Sequence, residues 1–328
     1  MEDSPKKPIV IMGPTASGKT ALALELSKAA GGEIISVDSR QIYTRLSAGT
    51  AKPEGLWQES GGTRLYLVEG VPCHLVDFMD PRISYDAGSF VAAALAAEAQ
   101  IRARGRRPIF AGGTGMYIQA YWNGMDSLPK GDPELRKSLS RAAEQLGPAA
   151  LHARLRVADP EAAEKIPQGN VQRIIRALEV RELTGIPISR LWTRQFYGTL
   201  PAHKAAFCVL NWARPLLRER IAARTRAIFD AMAAETDALL KAGYPEDCPA
   251  LKSLGYPQML DYLRSRISKT DAMHRIITLT QAYAKRQMTW LRRYRNAAWI
   301  DIASEADWQP RAIARDILSG KLAAADAR

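Results

Sequence analysis

An eight-residue run, Gly13-Pro14-Thr15-Ala16-Ser17-Gly18-Lys19-Thr20, fits the pattern G-x-x-x-x-G-K-[ST] and constrains the fold more than any other stretch of the chain. Four fixed positions recur by chance in roughly 1% of chains of this length. The flanks remove most of that chance. Pro8-Ile9-Val10-Ile11-Met12 is apolar, as a strand buried on both faces must be, and Ala21-Leu22-Ala23-Leu24-Glu25-Leu26 reads as a helix stopped by Gly31-Gly32. Strand, glycine loop and helix in that order make an anion site. Loop N–H groups and the positive helix N-terminus surround phosphate oxygens, Lys19 reaches the outer phosphate, and Thr20 is placed to hold Mg²⁺. The run predicts a pocket for a di- or triphosphate without saying which compound fills it.

With 328 residues, 47% of them hydrophobic, the chain builds a real core in one large domain or two smaller ones. No apolar run approaches membrane-spanning length, and Met1-Glu2-Asp3-Ser4-Pro5-Lys6-Lys7 lacks the apolar segment of a signal peptide. A cytoplasmic protein with no membrane partner is expected. Cys73, Cys208 and Cys248 are too few and too scattered for a disulfide framework or a CxxC site, and the four histidines show no ligand spacing. The formal net charge of +12 points to a polyanionic partner such as nucleic acid.

That charge is not spread evenly. Residues 270–294 read as one helix with Met273, Ile277, Ala284, Met288 and Leu291 on one face and Lys285, Arg286, Thr289, Arg292 and Arg293 opposite, Arg295 lying just beyond. No acidic residue interrupts 285–295. Trp290 and Tyr294 add aromatic surface beside the charge, a mixture suited to phosphate contact and base stacking. A second helix carries the apolar stripe Val171, Ile174, Ile175, Leu178, with Gln172, Arg173 and Arg176 facing away and Gly185 and Pro187 ending it. Asp132-Pro133-Glu134 opens a further helix, and 122–199 as a whole reads as helical. Around that stretch Glu33-Ile34-Ile35-Ser36-Val37, Pro108-Ile109-Phe110-Ala111 and Ala205-Ala206-Phe207-Cys208-Val209-Leu210 read as strands. The predicted fold is α/β: a P-loop type parallel-sheet core over 1–121 and 200–328, carrying an inserted all-helical subdomain over 122–199.

Three places offer chemistry. Asp38 closes the second strand at the carboxyl edge of the sheet, where open α/β folds place ligands, and could take a proton or hold Mg²⁺; an Asp there also serves as an N-cap. The strand at 108–111 ends in Gly112-Gly113-Thr114-Gly115 rather than in the metal-binding aspartate of an ATPase, which weakens a nucleotide-hydrolysing reading. Arg220 and Arg224, four apart on one helical face, could each clamp a phosphate.

Taken in order, the loop at 13–20, Val37-Asp38-Ser39-Arg40-Gln41-Ile42-Tyr43, Gly49-Thr50-Ala51-Lys52-Pro53, Gly112-Gly113-Thr114-Gly115-Met116-Tyr117, Arg176-Ala177-Leu178-Glu179-Val180 and Gln281-Ala282-Tyr283-Ala284-Lys285-Arg286-Gln287-Met288-Thr289-Trp290 resemble the motif series of bacterial tRNA dimethylallyltransferases. The resemblance implies transfer of a dimethylallyl group from dimethylallyl diphosphate to N6 of the adenosine 3′ of the anticodon, by a monomer, without ATP. It implies that Lys19, Thr20, Mg²⁺ and Arg224 stabilise the leaving diphosphate, that Thr15 contacts it, that Asp38 is the general base, and that Thr114 lies where adenosine and donor meet. Gly13, Pro14, Ala16, Ser17 and Gly18 complete the diphosphate cradle. Asp38, Ser39, Arg40, Gln41, Thr114, Arg136, Gln172, Arg173, Ile174, Ile175, Arg176, Lys285, Arg286, Gln287, Trp290 and Arg292 match segments that line the path of the tRNA anticodon stem-loop.

This chain departs from the series in places. Residues 54–73 run longer, with Gly55-Leu56-Trp57 and Leu65-Tyr66-Leu67-Val68 inserted, and Cys73-His74-Leu75-Val76-Asp77 stands where a paired-histidine sequence is usual. Leu254-Gly255-Tyr256-Pro257-Gln258 has Pro where a basic residue is frequent. No cysteine follows Cys248, so the zinc finger of eukaryotic relatives is not expected. Three alternatives stand: an adenylate dimethylallyltransferase acting on free AMP, ADP or ATP, a small-molecule P-loop kinase, and a non-catalytic nucleic-acid-binding P-loop protein. The basic helices argue against the first, Gly112-Gly113 against the second, and Asp38 at the sheet edge against the third.

Overall fold

The computed structural model describes residues 7–192, 205–294 and 296–322. Its elements run β1 (Ile9–Met12), α1 (Lys19–Ala30), β2 (Gly32–Val37), β3 (Leu56–Ser60), β4 (Thr63–Val68), β5 (Val71–His74), α2 (Ala87–Ala103), β6 (Arg107–Gly112), α3 (Gly115–Asn123), α4 (Pro133–Ala158), α5 (Pro160–Lys165), α6 (Val171–Thr184), α7 (Ile188–Leu191), β7 (Ala206–Trp212), α8 (Arg214–Lys241), α9 (Tyr256–Leu263), α10 (Lys269–Leu291), β8 (Ala298–Ile302) and α11 (Pro310–Leu318). They group into two compact units, Met1–Trp122 with Tyr197–Arg328, and Asn123–Phe196. Residues 193–199 of the stretch read as helical, and Arg295, lie outside the described residues.

The first unit is built on one eight-stranded sheet in the order β3-β4-β5-β2-β6-β1-β7-β8. From β5 to β8 every neighbouring pair is parallel. Alternate residues feed different cores. Ile9 and Ile11 pack with Leu22 and Leu26 of α1 and Ile313 and Ile317 of α11, while Val10 and Met12 pack with Phe90 and Ala94 of α2 and Ile118 of α3. Helices on both faces explain why these strands are apolar throughout. β1 sits between β6 and β7, and none of its residues is more than 2% exposed. The phosphate loop therefore leaves the sheet at its centre, on the carboxyl edge where open α/β sheets bind ligands. Helix α1 ends as its glycines predict: Gly31 takes φ 61° and donates its N–H to the Ser27 carbonyl.

A third cluster gathers Phe229, Met232 and Leu239 of α8, Met259 and Leu260 of α9 and Ile276 of α10 around Ile42, Tyr43 and Leu46. It seats the segment that follows β2 against three helices. Glu235 of α8 secures the next turn, its carboxylate accepting the N–H groups of Ser47, Ala48 and Gly49 at 2.6–2.9 Å and the Tyr256 hydroxyl at 2.6 Å.

The inserted residues 54–73 form a β-hairpin. β3 and β4 pair antiparallel across a turn at Gly61 and Gly62, both at positive φ, and β4 pairs antiparallel with β5. Trp57 Nε1 donates to Asp77 at 3.0 Å, and the buried Lys52 ammonium donates to the same carboxylate at 2.5 Å. His74 stands 2.7 Å from the buried Glu33 carboxylate, which Arg104 also holds. Burial alone would raise the Glu33 pKa; the His74 and Arg104 hydrogen bonds outweigh it and set it at about 2.

The second unit contains α4 to α7, packed on Leu139, Leu151, Leu155, Ile174, Leu178 and Ile188. Asp132 caps α4 by accepting the Leu135 N–H at 2.9 Å, and Gly147, at φ 81° before Pro148, breaks that helix into two segments. Among the described residues no helix is long and apolar enough to cross a membrane.

Candidate active site

The phosphate loop turns back on itself between β1 and α1. Ala16 and Gly18 both take positive φ, at 64° and 84°. At residue 18 a side chain is doubly excluded, since a Cβ there would lie 2.3 Å from the Trp308 ring. Lys19, the first residue of α1, reaches back to donate to the Pro14 carbonyl at 2.7 Å. Burial depresses its pKa to about 8, with Asp38 opposing the fall and Arg224 adding to it.

The loop separates the roles of the two arginines that the sequence leaves equivalent. Arg224 Nη2 donates to Thr15 Oγ1 at 2.9 Å, and its buried Nε has no partner. Burial lowers its pKa while Asp38 opposes. Arg220 lines the same cavity but is anchored within the protein: Nε donates to the Ala16 carbonyl at 3.1 Å, Nη1 pairs with Glu305, and the guanidinium stacks 4.2 Å from the Trp212 ring centroid. Lys19 and Arg224 are thus two desolvated cations at one glycine loop, one of them with an unpaired donor. A diphosphate fits that donor set.

Asp38 stands where the sequence places it, at the carboxyl end of β2. Its Oδ1 accepts the N–H of Arg40 at 2.8 Å and of Gln41 at 3.2 Å, so it caps a turn; no helix begins there for it to N-cap. Both bonds fall on the same oxygen. Asp38, Thr15, Lys19, Thr20 and Arg224 line one cavity of about 930 Å³, joined by Arg40, Gln41, Gly112 and Tyr283. Thr114 is not part of that lining; its N–H donates to the Val37 carbonyl at 3.2 Å, which keeps it at the same sheet edge. Among the described residues no group of three or more His, Cys, Asp or Glu side chains could hold a metal ion. The cavity offers one carboxylate and the Thr20 hydroxyl, a set that suits Mg²⁺ bound mainly through substrate phosphates.

A family model described as IPP transferase matches residues 41–294, more than half of the chain, and one described as Isopentenyl transferase matches residues 7–72. The chain belongs to the IPP transferase family. A tRNA dimethylallyltransferase of Elusimicrobium minutum is 46% identical over 288 residues, 88% of this chain and 92% of that protein. Another, of Chromohalobacter salexigens, is 41% identical over 96% of this chain and 99% of its own length. Among solved structures, the tRNA isopentenylpyrophosphate transferase of Bacillus halodurans superposes with a TM-score of 0.65 at 32% identity, covering 97% of both chains. A eukaryotic dimethylallyltransferase acting on tRNA superposes with a TM-score of 0.75 at 25% identity, over 98% of this chain and 82% of that one.

Within this IPP transferase the basic helix α10 is rotated slightly from the face that periodicity suggests. The buried line is Ala272, Ile276, Thr280, Ala284, Gln287 and Leu291, whereas Met273, Ile277 and Met288 are half-buried. Lys285, Arg286, Thr289, Arg292 and Arg293 are exposed, and Arg293 lies 4.6 Å over the Trp290 ring. Two residues assigned to the nucleic-acid face belong inside. Tyr294 is 3% exposed and packs on Phe207, so it offers no stacking surface. Gln287 is 7% exposed; its Oε1 accepts the Thr15 N–H at 2.8 Å and its Nε2 donates to the Gly113 carbonyl at 3.0 Å.

The second unit brings similar corrections. Ile174 and Ile175 are buried in its core and present no side chain outward. Arg136 and Arg176 both pair with the fully buried Glu179, so the two guanidiniums leave one net positive charge between them. Burial favours a neutral Glu179, yet the hydrogen bonds from Arg136, Arg176 and the Asp132 N–H lower its pKa and hold it ionised. Gln172 and Arg173 remain exposed. Nearer the cavity, Gln41 is held between the Ala51 carbonyl and the Ser36 hydroxyl, while Ser39 and Arg40 line the cavity.

Proposed function

We propose that this chain transfers a dimethylallyl group from dimethylallyl diphosphate to N6 of the adenosine 3′ of the anticodon in tRNA, releasing diphosphate. The observation that carries the reading is the cavity in which Asp38 faces the phosphate loop and Arg224, its lining holding no second carboxylate among the described residues. Close similarity to proteins named as tRNA dimethylallyltransferases favours tRNA over a free adenine nucleotide as acceptor.

The loop at 13–20 with Lys19, Thr15, Thr20 and Arg224 holds the donor's diphosphate and matches the charge that grows on it as the allylic C1–O bond breaks. Thr20 would hold Mg²⁺ together with the donor, and the ion would supply further neutralisation of charge on the same leaving group. The adenine N6 lone pair is delocalised into the purine, so the amine is a poor nucleophile. As the N6–C1 bond forms, Asp38 accepts the departing N6 proton, a contribution of roughly 10² to 10⁴ in rate. Thr114, at the edge of that centre, positions the two substrates. The target base leaves the loop stack at a cost of a few kcal/mol, offset by basic and aromatic contacts. Ser39 and Arg40 beside the cavity, the outer face of α10 at Lys285, Arg286, Trp290 and Arg292, and the exposed Gln172 and Arg173 supply those contacts.

Labelled dimethylallyl diphosphate with Mg²⁺, offered unmodified tRNA, AMP or neither, tests the reading. Label appears on tRNA. Label on AMP and not on tRNA would make the chain an adenylate dimethylallyltransferase.

A further inference from the structure

Gly112, Gly113 and Gly115 lack a side chain for reasons of packing. A Cβ at residue 112 would lie 2.0 Å from the Val37 carbonyl oxygen, which fixes the β6–β2 contact. A Cβ at 113 would lie 2.1 Å from Gln287 Nε2, and one at 115 would lie 2.0 Å from Trp290 Cδ1. Gln287 and Trp290, three apart on α10, both meet this glycine stretch, Gln287 buried and Trp290 half-buried with part of its ring left on the outer side. The bare backbone at 113 and 115 is the bed on which the basic helix lies.

At that bed one buried side chain touches two loops. Gln287 Oε1 takes the Thr15 N–H of the phosphate loop, and Gln287 Nε2 gives a hydrogen bond to the Gly113 carbonyl at the end of β6. The Thr15 side chain is in turn the one that Arg224 grips. A buried amide bonded at both ends holds its neighbours in a single arrangement, because either loop that moves leaves an unpaired polar group behind.

We propose that Gln287 is a positioning residue for the donor site: it ties helix α10 to the phosphate loop and the β6 glycine loop, and so sets Thr15 and Arg224 in the geometry that grips a diphosphate. Gln287 borders the cavity, and its part there is to hold the two loops that its amide bonds. The proposal rests on the diphosphate reading of the cavity given above.

The test uses the full chain and inorganic pyrophosphate as probe, measured by calorimetry with Mg²⁺. Gln287→Leu keeps the volume and removes both hydrogen bonds; pyrophosphate affinity falls at least tenfold, and the donor KM rises with it. Gly113→Ala drives the same amide away from the other side and reproduces the loss, and the double variant is no worse than the poorer single one, because both remove one shared contact. Ala284→Gly, on the same buried face but with no side-chain hydrogen bond to either loop, is the control for general destabilisation. It lowers the melting midpoint and leaves pyrophosphate affinity within twofold of wild type. Wild-type affinity in Gln287→Leu overturns the proposal. So does a loss in Ala284→Gly equal to that in Gln287→Leu, or multiplied losses in the double variant. A wild-type chain that fails to bind pyrophosphate overturns the diphosphate reading itself, and one that binds it but labels no tRNA overturns only the choice of acceptor.

Discussion

Asp38 holds the turn after β2 and, in the proposed reaction, is also the base; Asp38→Asn separates the two roles. Oδ1 accepts two backbone N–H groups, from Arg40 and Gln41, and holds the turn that follows β2. Asparagine retains an acceptor oxygen there, so the turn survives and the cost in stability stays under about 1 kcal/mol. Its amide cannot take a proton from N6. The general-base contribution of roughly 10² to 10⁴ then disappears, equivalent to about 3 to 5 kcal/mol of activation free energy. Asp38→Ala loses the same chemistry and also leaves both N–H groups without their acceptor, costing about 1 to 2 kcal/mol more in folding stability. Single-turnover prenylation of an anticodon stem-loop gives the rate, urea denaturation gives the stability, and pyrophosphate and RNA binding show whether the site is otherwise intact. Expected are two variants equally slow but unequally stable, both binding both ligands. Turnover of Asp38→Asn within about tenfold of wild type would refute the base assignment. Loss of pyrophosphate binding in Asp38→Asn would instead give the carboxylate a role in holding the donor.

Three further outcomes follow from the same geometry. Arg224→Ala lowers kcat by about 10² and weakens pyrophosphate binding, whereas Arg220→Ala acts mainly on stability because its contacts are Glu305, Trp212 and a loop carbonyl; steady-state kinetics beside urea midpoints separate the two. Lys19, with its pKa near 8, is partly neutral in mildly alkaline solution, and an anion beside it restores the proton. Pyrophosphate binding above pH 8 therefore takes up protons, shown by calorimetry in buffers of different ionisation enthalpy, and Lys19→Arg loses that share because a guanidinium does not titrate there. On the exposed face of α10, Arg292→Ala weakens tRNA binding and lowers the slope of log affinity against log salt by about 0.7 to 0.9; an unchanged slope would remove Arg292 from the RNA path.

Much of the site was legible because its signals are local. The loop at 13–20 is contiguous, Asp38 follows directly from the strand that ends beside it, and Lys285, Arg286, Thr289, Arg292 and Arg293 lie on the exposed side of one short stretch. The misassignments have a common form. Gln287 and Ile174 look outward or recognition-like in a motif, and Tyr294 looks like a stacking surface, yet all three are buried. Arg136 and Arg176 look like free charges until Glu179 is placed between them. Strand β8 and the hairpin at 56–68 lie at the two ends of the sheet, and their mixed polarity lacks the apolar run that marks β1.

What the sequence determined by itself is the chemistry on offer: a glycine loop that cradles an anion, a carboxylate at the sheet edge, a positive helix face, and a parallel core to carry them. Each of these is written in residue type and short spacing, where backbone geometry leaves little choice. Which arginine keeps an unpaired donor beside the phosphate loop, what Gln287 binds and why 113 and 115 must be glycine depend on partners brought together from distant parts of the chain; Thr15 and Gln287 are 272 residues apart. Those pairings exist only after α8 and α10 have packed against the sheet edge, because a hydrogen bond needs atoms within about 3 Å and no local pattern reports that distance.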